Sequence, residues 1–203
     1  EIDPAAPAAV SAAGRERFDA LVLATGALPL MPPLEGLTPG MPVLPLWRAA
    51  DAARIRARVA PDRRMVVIGG GILGIEAALR GREAGLEVIV VERLPRLLPL
   101  QLGPAASAVV LDILARRGLD VRLGRVIVAA ESRGNGLLLR LDEGGSLTAD
   151  MALAATGARP DTALAAAAGL RVDRGVIVDE TLRTSSPAVF AAGDVAQTGP
   201  PAR

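Results

Sequence analysis

The chain has 203 residues, 51% of them apolar and 1% aromatic, so Phe18, Trp47 and Phe190 are its whole aromatic stock and its core must be built from Ala, Val, Leu and Ile. It carries 23 basic and 22 acidic side chains for a net charge of +1, and every base is Arg. With no His, Cys or Tyr, almost nothing titrates near neutrality; the pI of 9.2 reflects a flat titration curve and not a nucleic-acid-binding face, and the same absences exclude a disulfide, a Cys/His zinc site and an imidazole base.

No apolar run is long enough to cross a bilayer, and the opening Glu1-Ile2-Asp3-Pro4 lacks the basic-then-apolar order of a signal peptide, so a cytoplasmic site without a membrane partner is expected. The opening reads as mid-domain and does not begin with Met, which suggests a fragment.

In chain order, 1–14 is rich in Ala and Pro and reads as a hairpin or irregular edge. The apolar run from Phe18 to Ala24, closed by Thr25-Gly26, predicts a buried strand ending in a tight turn. Pro29, Pro32, Pro33, Pro39, Pro42 and Pro45 argue for a crossing linker without regular structure. From Arg48 to Val59 the positions Ala52, Ile55 and Val59 share one helical face, and Pro61 ends the element. Met65 to Ile68 then predicts a buried strand, followed by Gly69-Gly70-Gly71-Ile72-Leu73-Gly74, a helix from Ile72 to about Glu83, and a second strand from Leu86 to Val91 with Glu92 at its end. That is a βαβ unit. Pro104 and Gly118 bracket a third helix, with proline inside the start and glycine past the end. A strand near Val121 leads into three short segments, Val126–Ala130, Leu137–Leu141 and Leu147–Thr148, that read as an antiparallel meander. Met151 to Ala155 re-enters the sheet and turns at Thr156-Gly157; a short helix over Ala163–Ala168 and two short strands, the second closing on Gly193-Asp194, complete the chain.

Gly69, Gly71 and Gly74 fit the G-x-G-x-x-G spacing, which allows a tight turn, close approach of backbone amides to a pyrophosphate, and close helix–sheet packing. The positive end of the helix starting at Ile72 would face the phosphates. Glu92, 18 residues beyond Gly74, can accept from both ribose hydroxyls and would repel a 2′-phosphate, which favours NAD over NADP; the alternative is a solvated strand-end carboxylate. Arg93 and Arg96 pull the other way, because arginine suits a 2′-phosphate. Glu76 is either a first-turn residue favoured by the helix dipole or the group that orients the nicotinamide carboxamide.

Five segments together resemble the pyridine nucleotide-dependent flavoprotein reductases, whose FAD and NAD domains share one fold: Leu21-Val22-Leu23-Ala24-Thr25-Gly26-Ala27; Val66 to Glu76; Val90-Val91-Glu92; Ala154-Ala155-Thr156-Gly157-Ala158-Arg159-Pro160; and Thr184 to Asp194. The resemblance implies an α/β fold with a Rossmann-like parallel sheet and an antiparallel meander as the NAD(P)-binding domain over 47–158. Partial FAD-domain segments of similar fold, 1–46 and 159–203, would flank it. It further implies that Thr25, Gly26, Thr156, Gly157, Gly193 and Asp194 belong to cofactor contacts, with Asp194 on the ribityl chain of the flavin. The implied activity moves hydride from NADH to FAD and then electrons to an iron–sulfur, siroheme or rubredoxin-type acceptor. Leu98 to Ala106 is similar to the corresponding stretch of NAD(P)H nitrite reductase large subunits, although Gly103 replaces the usual Asp; rubredoxin and ferredoxin reductases differ there. Nothing in 1–17 fits the family's first glycine turn, so FAD is expected to be weakly held or absent. Alternatives are a nucleotide-binding module without turnover, a redox-sensing flavoprotein, and a disulfide reductase relative whose cysteine pair lies upstream.

Overall fold

The computed structural model describes residues 2–3 and 8–199. The chain divides into two compact units, Pro29–Gly157 and the paired segments Glu1–Leu28 and Ala158–Arg203.

The larger unit contains, in chain order, β1 (Val43–Pro45), α1 (Ala49–Arg56), β2 (Arg64–Ile68), α2 (Ile72–Glu83), β3 (Glu87–Glu92), α3 (Pro104–Arg116), β4 (Asp120–Leu123), the strands β5 (Ile127–Arg133), β6 (Gly136–Leu141) and β7 (Ser146–Ala149), and finally β8 (Met151–Ala154). Five strands form one parallel sheet in the order β1-β8-β2-β3-β4, with Ile68 opposite Val91 on one side and Ala154 on the other. The meander β5-β6-β7 is antiparallel, as its three short segments predict. This is the α/β fold with a parallel sheet and an antiparallel meander that the sequence indicates.

Alternation along the strands explains why the central ones read as unbroken apolar runs. Val66, Ile68, Ile89 and Val91 point to one face, where they join Ile127, Leu137, Leu139 and Leu147 of the meander. Met65, Val67, Val88 and Val90 point to the other, against Ile75 and Ala78 of α2 and Leu114 of α3. Both clusters lie wholly within the larger unit. α1 buries none of its residues.

The proline-rich stretch corrects one expectation. Within it, Val43–Pro45 is a strand of the parallel sheet, so the stretch is not wholly irregular, and it lies in the compact unit Pro29–Gly157. Proline is tolerated because β1 is an edge strand with a single neighbour, so the missing amide costs no ladder bond on the open side.

In the smaller unit the expected opening hairpin is a three-stranded antiparallel sheet of Ile2–Asp3, Ala8–Ser11 and Gly14–Arg17; Glu1 and the residues 4–7 of that reading lie outside the described residues, as do 200–203 of the return segment. Leu21–Leu23 pairs in parallel with Val189–Ala191, and Val176–Val178 with Ala196–Thr198, a strand the sequence does not announce. Val176, Val178, Val189, Ala191 and Val195 gather with Leu23, Ala165 and Leu170 into a separate core. Asp179 fixes the turn between these strands: its carboxylate accepts from the Thr181 hydroxyl at 2.7 Å and from the Thr181 and Arg183 amides. The hydroxyl bond first, then the Arg183 amide, hold this carboxyl below its ordinary value.

Because two complete apolar clusters lie within 29–157, that segment expressed alone is expected to unfold in one cooperative thermal transition. A broad, non-cooperative melt by circular dichroism would show that the unit cannot fold by itself.

Candidate dinucleotide site

The site forms where the strand order changes direction. From β2 the chain proceeds to β3 and β4 on one side, while β8 and β1 fill the other, so β2 stands at a topological switch point with its carboxyl end open. The glycine turn follows β2 there, and the three glycines of the motif differ in what confines them. Gly69 has φ +114°, and a Cβ on it would stand 2.4 Å from the Ala155 carbonyl oxygen. Gly74 is buried, and its Cβ would lie 2.0 Å from the Gly69 carbonyl oxygen. These two positions let α2 start directly against the sheet. Gly71 is different: its backbone is extended, at φ −79° and ψ −179°, and a Cβ would meet nothing within 4 Å. The space above Gly71 is therefore open.

Gly71 is also the N-cap of α2, and no side chain caps it. The first helical bond runs from the Ile75 amide to the Gly71 carbonyl at 2.9 Å, so the amides of Ile72, Leu73 and Gly74 have no carbonyl one turn earlier in the helix to bond. Ile72 and Leu73 extend their side chains toward solvent. The result is a group of amide donors beside open space at the positive end of a 12-residue helix. A bridging diphosphate has the charge and oxygen density to satisfy it.

Glu92 is not a solvated carboxylate. It is 8% exposed, and its two oxygens are both engaged: Oε2 accepts from the Gly70 amide at 2.6 Å and Oε1 from the Leu94 amide at 2.8 Å. Each oxygen keeps a second acceptor position. Arg93 next to it is exposed, while Arg96 donates to the Pro99 carbonyl at 3.1 Å. Glu76 is exposed on the flank of α2 and lines one end of a groove of about 700 Å³ beside Trp47, Arg48 and Leu73.

The turn after β8 joins this group. The Thr156 amide would lie 3.5 Å from a Cβ on Gly69, and the Thr156 hydroxyl donates to the Leu30 carbonyl at 2.5 Å, with Leu30 N bonding Gly157 in return. In the smaller unit Thr25 repeats the device, donating to the Asp161 carbonyl at 2.7 Å while the Asp161 amide bonds Gly26. Both threonine hydroxyl protons thus serve the backbone. Gly193, at φ +76°, and the exposed Asp194 follow the strand paired with Leu21–Leu23, so they share a strand end with Thr25 and Gly26. Gly69 to Gly74, Glu92, Arg93, Thr156 and Gly157 form one group with Glu76 a turn away; Thr25, Gly26, Gly193 and Asp194 form another, in the other unit.

Two residues of the larger group escape motif reasoning. Leu97, fully buried, places Cδ2 2.5 Å from where a Gly70 Cβ would be, and Ser107, 3% exposed, donates its hydroxyl to the Leu97 carbonyl at 2.8 Å. Among the described residues no cluster of acidic side chains could hold a metal ion, and no helix is long and apolar enough to cross a membrane.

Residues 2–202 match the model of the pyridine nucleotide-disulphide oxidoreductase family, and the chain belongs to that family. It is 36% identical over 181 residues to the nitric oxide reductase FlRd-NAD(+) reductase of Klebsiella pneumoniae (strain 342), covering 89% of this chain and 47% of that protein. It is 38% identical over 199 residues to the nitrite reductase [NAD(P)H] large subunit of Klebsiella oxytoca, covering 96% of this chain and 21% of that subunit. A ferredoxin reductase from Rhodopseudomonas palustris has a similar structure, with a TM-score of 0.91 and 32% identity over 98% of this chain and 49% of its own. The chain thus spans half or less of the length of these relatives.

The glycine geometry separates fold from ligand. Gly74→Val is expected to lower stability by at least about 2 kcal/mol through overpacking against Gly69, and Gly71→Ala to change it by less than about 1 kcal/mol. Urea unfolding checks the pair, and equal losses at both positions would contradict the open space above Gly71.

Proposed function

We propose that this chain is the nicotinamide-nucleotide-binding part, with flavin-contacting segments, of a flavoprotein reductase that passes electrons from NADH to a protein or module carrying an iron–sulfur, siroheme or rubredoxin-type centre. The observation that carries this reading is the open space over Gly71 beneath the amides of Ile72, Leu73 and Gly74, at the carboxyl end of β2. The named relatives support the electron-transfer class: one is a nitric oxide reductase FlRd-NAD(+) reductase, one a nitrite reductase large subunit, one a ferredoxin reductase.

On this reading the diphosphate rests on those amides and on the positive end of α2. The free acceptor positions of Glu92 take the ribose hydroxyls, and its negative charge disfavours a 2′-phosphate, so NADH binds more tightly than NADPH. Arg93, exposed alongside, tempers that preference by offering a cation to either phosphate. Glu76, farther along α2, accepts from the nicotinamide carboxamide and so fixes which face of the ring is presented; Thr156 and Gly157 bound the same end of the sheet. In the smaller unit Thr25, Gly26 and Gly193 let the backbone approach a flavin, and Asp194 accepts from its ribityl chain. When bound, the nicotinamide supplies a hydride and the flavin converts that pair of electrons into single transfers.

A second reading has one observation in its favour. The glycine turn, Glu92 and the two apolar clusters around them lie wholly within Pro29–Gly157, which fits a nucleotide-binding module that does not turn over by itself. The absorbance of the purified chain separates the two, since a flavin band supports the reductase and a colourless protein that binds NADH supports the module.

Gly71→Val should fill the diphosphate's place without disturbing the fold, and NADH affinity by fluorescence titration is expected to fall at least about thirtyfold with the melting temperature nearly unchanged. Unaltered NADH affinity in that variant would remove the turn from the binding site.

A further inference from the structure

Polar groups inside a helix–sheet interface are exceptional, and the buried hydroxyl of Ser107 lies on the core side of α3, in step with the buried Leu114. A helical serine commonly returns its hydroxyl to the carbonyl one turn earlier. Here it instead reaches across to the Leu97 carbonyl, ten residues upstream, at 2.8 Å.

Leu97 belongs to the turn that folds back from β3 onto the glycine loop. Its side chain packs over Gly70, whose Cβ position is also crowded by Glu92 Cβ and Cγ at 3.1 and 3.2 Å. The Leu98 amide points at the Gly70 carbonyl at 3.4 Å, and the Leu94 amide holds Glu92 Oε1. The orientation of Glu92 therefore depends on two amides, Gly70 and Leu94, and the second is as well placed as the turn that carries it. The backbone of that turn is tied to α3 at Leu97 by one buried hydroxyl.

We propose that Ser107 is a positioning residue for coenzyme selection: through Leu97 it holds the 93–98 turn closed over Gly70, and so fixes Glu92 in the orientation that receives a ribose and rejects a 2′-phosphate. This rests on the reading of the glycine turn as the dinucleotide site. Removing the hydroxyl leaves the Leu97 carbonyl buried without its partner, and the turn relieves that by moving away from Gly70. Ser107 itself touches no ligand; its effect passes through a carbonyl, a leucine side chain and the two amides that aim the carboxylate.

Two measurements on Ser107→Ala test the role. Amide exchange read residue by residue by NMR is expected to quicken roughly tenfold at Gly70 and Leu94, with the interior of α2 and the strand β2 unchanged. Titration is expected to show NADH binding weakened roughly five- to tenfold and NADPH by less than about twofold, so discrimination between the coenzymes shrinks. Leu97→Ala, which uncovers Gly70 directly, should give the same pattern. Unchanged exchange at Gly70 and Leu94 in both variants would overturn the proposal, as would equal losses of NADH and NADPH affinity. Failure of the unaltered chain to bind NADH would instead overturn the reading of the site, leaving the exchange pattern to decide whether Ser107 holds the turn.

Discussion

The structure turns on a contact with no room for a side chain. Gly74 lies so close to the Gly69 carbonyl that a methyl group would sit 2.0 Å from the oxygen, and Gly69 in turn lies against the Ala155 carbonyl. Those approaches let α2 begin immediately at the end of β2 and aim its free amides outward instead of into the sheet. Any residue larger than glycine at either position pushes the helix away from the strand and redirects its positive end. The open space over Gly71 is the counterpart: the packing is tight below the turn and open above it.

Glu92 connects this turn to the next one. A buried carboxylate is costly unless its oxygens are satisfied, and two backbone amides meet that demand here at 2.6 and 2.8 Å. The carboxylate therefore acts first as a strut between the glycine loop and the turn after β3, and only its remaining acceptor positions are available to a ligand. A substitution at Glu92 disturbs the loop as well as any ribose contact, so a change of coenzyme preference at this position needs a replacement for the strut. On the proposed reading, specificity and loop order share one side chain.

The βαβ core is legible in the sequence because its signals agree: unbroken apolar runs, glycines at fixed spacing and helix ends marked by Pro104 and Gly118 all indicate the same elements. The bounds of α2, Ile72–Glu83, follow directly from Gly71 and Gly85. The edge strand Val43–Pro45 is hidden because prolines argue against a strand, and only its position at the sheet edge makes them acceptable. The spacing of Glu92 marks it as a candidate ribose partner but cannot show that Gly70 and Leu94 already hold it, since such bonds depend on how a later turn folds back. Ser107 falls in phase with Leu111 and Leu114, which places a hydroxyl on an apolar helical face, yet its partner Leu97 is a backbone carbonyl with no sequence signature. Thr25 and Thr156 stand out through their Ala-Thr-Gly setting, while their bonds to Asp161 and Leu30 depend on segments far away in the chain.

A crystal structure of the chain with NADH tests the central claim most directly. The expected result is the diphosphate over Gly71, its oxygens within about 3 Å of the Ile72, Leu73 and Gly74 amides, and the adenine ribose on Glu92. A diphosphate bound elsewhere, with those three amides facing only water, would contradict the account.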